Sequence, residues 1–577
     1  MSKPKYQTQR LSLRFFMLML VLFILQVGLG MVLALQHSDP TLLAGTLNFN
    51  TVRSMHLNLG ILWILSGFIG AILFVGPLLS RRELAAPWLI KFLFCALIVA
   101  TGWNMFTQVF AMQGIAGWWA GQPWLQEGLE YIEGGRIFDT IVLIGFAILC
   151  YVVLRTFPPL REWNEIHWGL GIGVVALMVV WVFGLFYVPR LDLQEYFRWF
   201  VVHYWVEGVW EVIHISLIGI LIVLLFKVSV KEVGYAVFWG VVLVWLSGLI
   251  GNAHHYFWVG TPEFWQFWGS LFSALEPLPL VFCFWHIYLD AHTNQKPLEN
   301  APAFYFILGS VVLEQVGAGI LGFTMTFSLT NVWSHGTWVT PAHGHLALFG
   351  TFGMLVIGAA YYAIPVLRTG KAGHFDQRLG KLAFWLVFIG VLGLALAFAL
   401  GGTVQVYIYR TLGLDWFGGD IIPSLSIYKI LVAVFGFVLT IGAGLIVYDL
   451  STLGRQPSSV AAPAFPPAGF KPHAVTGWSR PLSGFEAGIW LTAMWVFGFL
   501  ITFNLLSFNL DVVRMQGNPT LPYLLAGIGY PGLFLTTLLF VWRFLASMEA
   551  RVTAAAASMA AGGPPAVGLT QALSPAS

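Results

Sequence analysis

Long uninterrupted apolar runs constrain this chain more than any other feature. Runs of about 20 or more residues, the length needed to cross roughly 30 Å of hydrocarbon, recur from near the first residue almost to the last. The 577 residues are 58% hydrophobic and only 9% charged, whereas soluble domains are roughly 25% charged. The sequence therefore predicts an all-α polytopic membrane protein.

The runs also divide the chain into regions. The predicted spans are residues 13–36, 51–79, 87–111, 137–157, 165–189, 199–227, 230–258, 265–290, 303–327, 339–366, 381–407, 423–450, 485–509 and 521–545. We expect residues 1–450 to form a core of twelve transmembrane helices. Residues 451–484, rich in Pro, Gly and Ala, are expected to be a cytoplasmic linker. Residues 485–545 would add two transmembrane helices, and 546–577 would be a disordered tail.

The distribution of basic residues predicts the orientation. Lys and Arg gather before the first span and in the even-numbered connections, whereas the odd-numbered connections are poor in both. Under the positive-inside rule, the even-numbered connections and both termini lie in the cytoplasm. The first span is long and lacks a small-residue cleavage site, so we expect it to be retained as a helix.

Several histidines lie inside the spans, where ionisable groups are expensive and usually face a cavity, a partner or a cofactor. A lone histidine at a helix end is more often a hydrogen-bonded interfacial residue. Here the predicted orientation places six imidazoles, on four different spans, in the outer third of the bilayer, and such agreement favours metal ligation in the core of a helical bundle. The six are His56, His203, His254, His255, His343 and His345.

The spacing within the tenth span indicates two centres. Residues two apart on a helix point roughly 200° away from each other, so His343 and His345 can serve metals on opposite faces of one helix. Gly344 between them leaves room for a flat macrocycle.

A second constellation predicts a non-haem metal. His254 and His255 lie at the outer end of the seventh span, where both can bend towards one ion together with His203. Glu207, one turn after His203, adds a carboxylate. A hard oxygen ligand beside imidazole nitrogens suits iron better than copper(I).

Five motifs carry a family resemblance. The stretches "RSMHLNLGILWILSGFIGA", "HYWVEGVWE", "NAHHYFWVG", "GSLFSALEPLPL" and "HGTWVTPAHGHLALFG" together resemble the catalytic subunit of respiratory nitric oxide reductases, a branch of the haem-copper oxidase superfamily. The resemblance extends from about residue 13 to 450. It implies a bacterial inner-membrane enzyme that catalyses 2 NO + 2 e⁻ + 2 H⁺ → N₂O + H₂O.

The resemblance also implies the cofactors and their ligands. His56 and His345 would be the axial ligands of a low-spin haem b, and His343 the proximal ligand of a high-spin haem b. The non-haem iron would be held by His203, His254, His255 and Glu207. Glu211 and Glu276 are the candidates for delivering protons or tuning the iron.

Other activities remain alternatives. Most oxygen-reducing relatives carry a tyrosine four residues after the first metal histidine, with copper in the site, whereas here that position is Glu207. A nitric oxide dismutase-like enzyme usually departs at the metal-ligand and quinone-site motifs. A transporter would be expected to show inverted repeats and helices broken at the midplane, and a simple electron carrier would need only the two axial histidines.

The sequence also predicts partners. It contains no motif for covalent haem c and no copper-binding Cys cluster, so electrons must come from another protein. We expect a separate donor on the outer face, either a cytochrome c or a cupredoxin with a binuclear copper centre; a quinol donor is the alternative. Glu133, with Glu130 as the competing assignment, aligns with a family glutamate that helps to hold a calcium ion between haem propionates.

Two buried polar residues depart from the pattern. His214 lies about one turn beyond Glu211, and Glu314 lies in the ninth span, at positions where the resemblance leads us to expect apolar side chains. Glu314 is either part of an additional proton route or a satisfied structural carboxylate.

Overall fold

The computed structural model describes residues 4–112, 124–125, 133–281, 285, 298–371, 373, 375–414, 421–453 and 480–560. We number the long helices in chain order. They are α1 (Gln7–Ser38), α2 (Phe49–Ser80), α3 (Pro87–Met112), α4 (Gly135–Thr156), α5 (Glu165–Leu185), α6 (Leu191–Phe226), α7 (Val230–Tyr256), α8 (Phe264–Ser273), α9 (Ala301–Met325), α10 (Val339–Thr369), α11 (Arg378–Thr411), α12 (Ile421–Thr452), α13 (Gly484–Ser507) and α14 (Thr520–Ala560).

The helices confirm the predicted fold class. Within the described residues, 13 helices are long and apolar enough to cross a membrane, and they correspond to every predicted span except the eighth. That span begins with α8, but much of its second half lies outside the described residues. The same holds for most of the predicted linker between α12 and α13.

Polar side chains set several helix starts. Asn48 accepts a hydrogen bond from the third residue of α2, and Ser229, Asn300 and Ser483 do the same for α7, α9 and α13. Each cap satisfies one of the N–H groups that have no partner within the first turn. A short polar residue before an apolar run therefore marks where each of these helices begins.

The helices that carry the predicted site lie at the centre of the bundle. In the most apolar 18-residue segment of each helix, 89% of α2 and 83% of α9 is buried, whereas only 28% of α12 is buried. The outer helices present apolar side chains such as Phe437 and Tyr448 on the surface, which is typical of helices that face lipid. α6 and α10 are both 78% buried by the same measure, whereas α7, which carries His254 and His255, is 50% buried.

The two C-terminal helices pair with each other and pack against the core at α9 and α11. Arg543 on α14 is 2% exposed and forms a bidentate ion pair with Glu486 on α13, at 2.9 and 3.1 Å. Its third nitrogen donates to the carbonyl of Arg480 at 2.8 Å. A guanidinium suits such a buried site because its planar fork satisfies several acceptors at once.

The last helix runs past its predicted end. The disordered tail was expected from residue 546, but α14 continues to Ala560. The segment TAAAASMA is alanine-rich, and alanine has the highest intrinsic helix propensity, so low complexity is no barrier to helix here. Residues 561–577 lie outside the described residues.

Candidate metal centre

Three π-helical segments interrupt the helices around the predicted site. They are Tyr204–Trp210 in α6, Glu314–Leu321 in α9 and His345–Gly353 in α10. A π-turn inserts one residue, which rotates the following side chains by about 100° relative to an uninterrupted α-helix, and such turns occur frequently at functional sites. The prediction that Glu207 lies one turn after His203 assumed a regular α-helix and missed this.

The structure brings the predicted non-haem ligands together. His203, Glu207, His254 and His255 each offer one donor atom, and these four atoms all lie within 4.8 Å of one another. The ring centroids of His254 and His255 are 4.8 and 5.1 Å from that of His203. Three imidazoles and a carboxylate therefore converge on one point, as the sequence predicted.

The orientation of His203 indicates that a cation fits between these groups. Its Nε2 lies 3.2 Å from the carbonyl oxygen of Gly248, and because a carbonyl only accepts, Nε2 carries the proton. The other nitrogen, Nδ1, is buried without a hydrogen-bond partner and lies 3.4 Å from Oε2 of Glu207. A lone pair and a carboxylate that face each other at this distance require a proton or a metal ion between them.

The other two imidazoles are also held in place. Ser273 donates its hydroxyl proton to the carbonyl of Gly251 at 3.0 Å, so its oxygen accepts from Nδ1 of His254 at 2.7 Å and leaves Nε2 free. The ring of His255 stacks on Trp199 at 3.9 Å with 7° between the planes. Such neighbouring contacts fix the tautomer and ring orientation of metal-binding histidines.

A close approach of α7 to α6 makes the cluster possible. A Cβ at Gly248 would lie 2.9 Å from the carbonyl oxygen of Glu207 and 3.6 Å from Cα of Gly208. The two backbones could not come this close around a larger residue. Gly248 therefore sets the distance between His203 on α6 and the two histidines that end α7.

His56 and His345 face each other across the space between α2 and α10, with ring centroids 6.3 Å apart. Two imidazoles that bind one metal at about 2.0 Å through their nitrogens would have centroids about 6 Å apart. The Nδ1 atoms donate to the carbonyls of Gln26 at 2.9 Å and Pro341 at 2.7 Å. The Gln26 amide nitrogen lies 3.1 Å from Nε2 of His56 and would have to turn away for a metal to bind there.

His343 is oriented for a second centre. Its Nδ1 donates to the carbonyl of Gly317 on α9 at 2.8 Å, which leaves Nε2 free as a ligand. Gly344 has no atom within 4 Å of the position a Cβ would occupy, and it lines an internal cavity. This open space at Gly344 is the room for a macrocycle that the sequence predicted.

One cavity of about 1080 Å³ connects these groups. Its volume lies just above the usual range of about 300–1,000 Å³ for ligand pockets. Its lining includes all six histidines together with Glu207, Glu211 and Glu276. The shared depth inferred from the sequence thus corresponds to one shared cavity.

The remaining two carboxylates lie at the edge of the cluster. Oε1 of Glu276 is 3.8 Å from Nε2 of His203 and 3.5 Å from the hydroxyl of Ser273. Glu211 is 5% exposed and directly follows the π-helical segment of α6. Both carboxylates are therefore within one or two side chains of the candidate metal.

Glu133 lies against α2 rather than in a cluster of acids. Its carboxylate accepts hydrogen bonds from Ser54 at 3.1 Å and Asn58 at 2.8 Å, on either side of His56. Ser54 and Asn58 share one face of α2, whereas His56, two residues from each, points to the other side of that helix. The competing residue Glu130 lies outside the described residues.

Comparisons with known proteins identify the family of this chain. A family model described as cytochrome c and quinol oxidase polypeptide I matches residues 10–445. The chain is 31% identical to the B subunit of the nitric oxide reductase of Stutzerimonas stutzeri, over 80% of this chain and 98% of that protein. It is 23% identical to the cbb3-type cytochrome c oxidase subunit CcoN1 of the same organism, over 68% and 82% of the two chains. It is also 23% identical to cytochrome c oxidase subunit 1 of Thermus thermophilus, over 52% and 56%. The chain is therefore an oxidoreductase that belongs to the haem-copper oxidase subunit I family.

Proposed function

We propose that this chain is the catalytic subunit of a nitric oxide reductase, which converts two NO molecules, two electrons and two protons into N₂O and water. His203, His254, His255 and Glu207 would hold a non-haem iron. His343 would hold a high-spin haem b, and His56 with His345 a low-spin haem b. Family membership implies haem and metal cofactors in general, and the assignment to these residues is our inference.

The observation that carries the proposal is the carboxylate of Glu207 among three imidazoles. All four donor atoms lie within 4.8 Å of one another, and the oxygen of Glu207 occupies the position that most oxygen-reducing relatives give to a tyrosine. A mixed nitrogen and oxygen donor set favours iron over copper(I). The similarity to a nitric oxide reductase protein over nearly its whole length supports the same conclusion.

When bound, the two iron centres would hold two NO molecules side by side and stabilise the negative charge that develops as the N–N bond forms. The protein supplies the protons and the enclosure. Glu211 and Glu276 line the same cavity as Glu207, so each can pass a proton towards the reacting oxygen without crossing apolar packing. The apolar part of the lining, including Val206, Leu280 and Phe352, limits the water that could compete for the metal.

Electrons would enter from the outer face. The predicted orientation places the six histidines in the outer third of a bacterial inner membrane, with both termini in the cytoplasm. We infer a separate donor protein, a cytochrome c or a cupredoxin with a binuclear copper centre, with quinol as the alternative. The core would comprise residues 1–450, followed by the linker 451–484 and the added helices from 485. A calcium ion near Glu133 would balance the haem propionates.

Oxygen reduction is the second candidate because the chain is also similar to cytochrome c oxidase subunits. Metal and haem analysis of the purified enzyme, combined with anaerobic NO consumption and N₂O detection, separates the two. Two haems b, one further iron and N₂O production are expected. One copper with oxygen consumption and no N₂O would refute the proposal.

A variant pair sharpens the test. Glu207→Gln should lower the iron content and the N₂O yield while the haem spectrum of the His56 and His345 pair remains. His167 is the matched control, because it is a histidine with 3% exposure near the start of α5 and it does not line the cavity. His167→Asn should retain both metal and turnover.

A further inference from the structure

His214 and Glu314 form a fully buried pair that the proposed reaction does not use. Nδ1 of His214 lies 3.1 Å from Oε1 of Glu314, and both side chains have no exposed surface. His214 lies on α6, and Glu314 begins the π-helical segment of α9. An acid and a base buried together inside a membrane protein are costly, which marks them as candidates for function.

The hydrogen bonds around His214 show where its protons are. Ser310 donates its one hydroxyl proton to the carbonyl of Thr351 at 2.6 Å, so its oxygen accepts from Nε2 of His214 at 2.8 Å. Nε2 therefore carries a proton, and the remaining nitrogen, Nδ1, faces the carboxylate. Two acceptors that lie 3.1 Å apart in a buried site are held together by a second proton, carried either by the imidazole or by the carboxyl group.

The second proton sets the charge of the pair. With it the pair is neutral overall, and without it the pair carries one negative charge. The nearest titratable group on α6 is Glu211, which interacts electrostatically with Glu314 on one side and with Glu207 on the other. Oε2 of Glu314 and both amide atoms of Gln315 are buried without hydrogen-bond partners among the described residues. Unpaired buried polar atoms of this kind are usually satisfied by internal water.

The pair lies beside the cavity. Glu211 lies three residues before His214 on the same helix, so the two share a face, and Glu211 lines the cavity. Phe352 lines the cavity and contacts His214, with ring centroids 5.6 Å apart. In the other direction along α6, α9 and α10, the next turns carry fully buried apolar side chains among the described residues. These are Leu217, Ile307 and Leu355.

We propose that His214 and Glu314 act as a closed proton store that fills and empties through Glu211. When Glu211 has given its proton to the reacting site, the proton held between Nδ1 and Oε1 passes to the Glu211 carboxylate. Glu211 becomes neutral and the pair takes the negative charge. A proton from solution later returns through the cavity and Glu211 to the pair. This inference rests on the proposed function, because that reaction creates the demand for protons. The proton chemistry of the pair does not depend on it.

The first test is infrared spectroscopy of the purified holoenzyme, recorded as reduced-minus-oxidised difference spectra. Reduction of the metal site draws protons towards it, so a carboxyl C=O band that shifts in D₂O is expected in the wild type and should be lost in Glu314→Gln. Glu299→Gln is the control, because Glu299 is an exposed carboxylate paired with Lys227. This readout needs no substrate, so it tests the store even if the enzyme makes no N₂O.

The second test is a single turnover of the reduced enzyme with NO in weak buffer containing a pH indicator dye. In the wild type, oxidation of the haems should precede proton uptake from solution because the first proton is internal. We call this early haem oxidation the prompt phase. In Glu314→Gln the prompt phase should be lost, and haem oxidation should follow proton uptake. Haem oxidation and proton uptake with wild-type timing in that variant, or an unchanged C=O band, would refute the proton store. N₂O production by the wild type would still support the proposed function.

A double variant protects the test against misfolding. Removing one member of a buried pair leaves an uncompensated charge, whereas replacing both with apolar residues of similar size is often tolerated. His214→Leu combined with Glu314→Leu should therefore assemble with both haems and lack the prompt phase. If this assembled variant keeps the prompt phase, the pair is structural.

Discussion

Replacing Gly251 by alanine would displace Glu276 far more than any other neighbour, and Glu276 is not one of the four candidate metal ligands. A Cβ at this glycine would overlap Oε1 of Glu276 and lie 3.1 Å from the hydroxyl of Ser273. Atoms in ordinary contact are about 3.5 Å or more apart. The carboxylate must therefore move by more than about 1 Å to restore such a contact, and it loses its 3.8 Å contact with Nε2 of His203.

The expected cost follows from that displacement. A misplacement of about 1 Å in a positioned catalytic group can lower the rate about 100-fold, equivalent to about 2.7 kcal/mol in activation free energy. Because His203, His254 and Glu207 keep their donor atoms, the iron content should stay at the wild-type level. The loss should appear in kcat, measured as N₂O formed per iron, rather than in KM.

Two controls accompany this variant. Gly444→Ala on α12 adds the same methyl group where no atom lies within 4 Å, and it should leave turnover unchanged. Glu276→Asp introduced into Gly251→Ala shortens the acid and should recover part of the activity. Full activity in Gly251→Ala would refute a role for the position of Glu276, and a parallel loss of iron would show that the methyl group disrupts the metal cluster instead.

Three further predictions follow from other contacts. Gly248→Ala pushes against backbone rather than a side chain, so it should separate α6 from α7 and lower the iron content, measured by metal analysis. Arg543→Met removes the buried partner of Glu486, which keeps an ion pair with the more exposed Arg480 at 3.1 Å, so it should destabilise the C-terminal helices by less than about 3 kcal/mol, detected as a lower midpoint of thermal unfolding and faster proteolysis between α12 and α13. Burial would raise the pKa of Glu83, but hydrogen bonds from the Thr8 side chain and backbone and from the backbone N–H of Gln7 outweigh it, so the pKa lies below its ordinary value of 4.5. Because the pKa is lowered, the contact stabilises the N-terminal segment above about pH 4.5, and this stabilisation is lost as the pH falls through the pKa of the folded state. Amide exchange at Thr8 should therefore become faster on acidification. Unchanged exchange would contradict this.

The membrane helices could be predicted from the sequence because the signal is local. A helix must satisfy its own backbone hydrogen bonds inside lipid, so a long apolar run is sufficient to predict each span. The same locality explains the caps at Asn48 and Ser229, which depend on only three following residues. The boundary at 545 was wrong because low complexity was taken for disorder, although the segment consists largely of the best helix-forming residue.

The histidines of the candidate site could also be predicted, through a longer argument. The orientation of each span assigns a depth to every residue on it, and six imidazoles at one depth already point to one site. Identifying His203, His254 and His255 as candidate ligands did not require knowing which helices are in contact. Their convergence with Glu207 also needs the close approach of α6 and α7 at Gly248, which depth does not predict.

The sequence alone therefore determined the positions and order of the spans that the structure describes and the side-chain types available to the site, and it predicted their orientation in the membrane. Only the tertiary structure decided how those groups face one another. The π-helical turn before Glu211, the approach permitted by Gly248 and the carbonyl of Gly317 that orients His343 depend on contacts between helices distant in sequence. The pairing of His214 with Glu314, 100 residues apart, is of the same kind. Such contacts carry no local periodic signal, because packing between helices depends on the shapes of both partners.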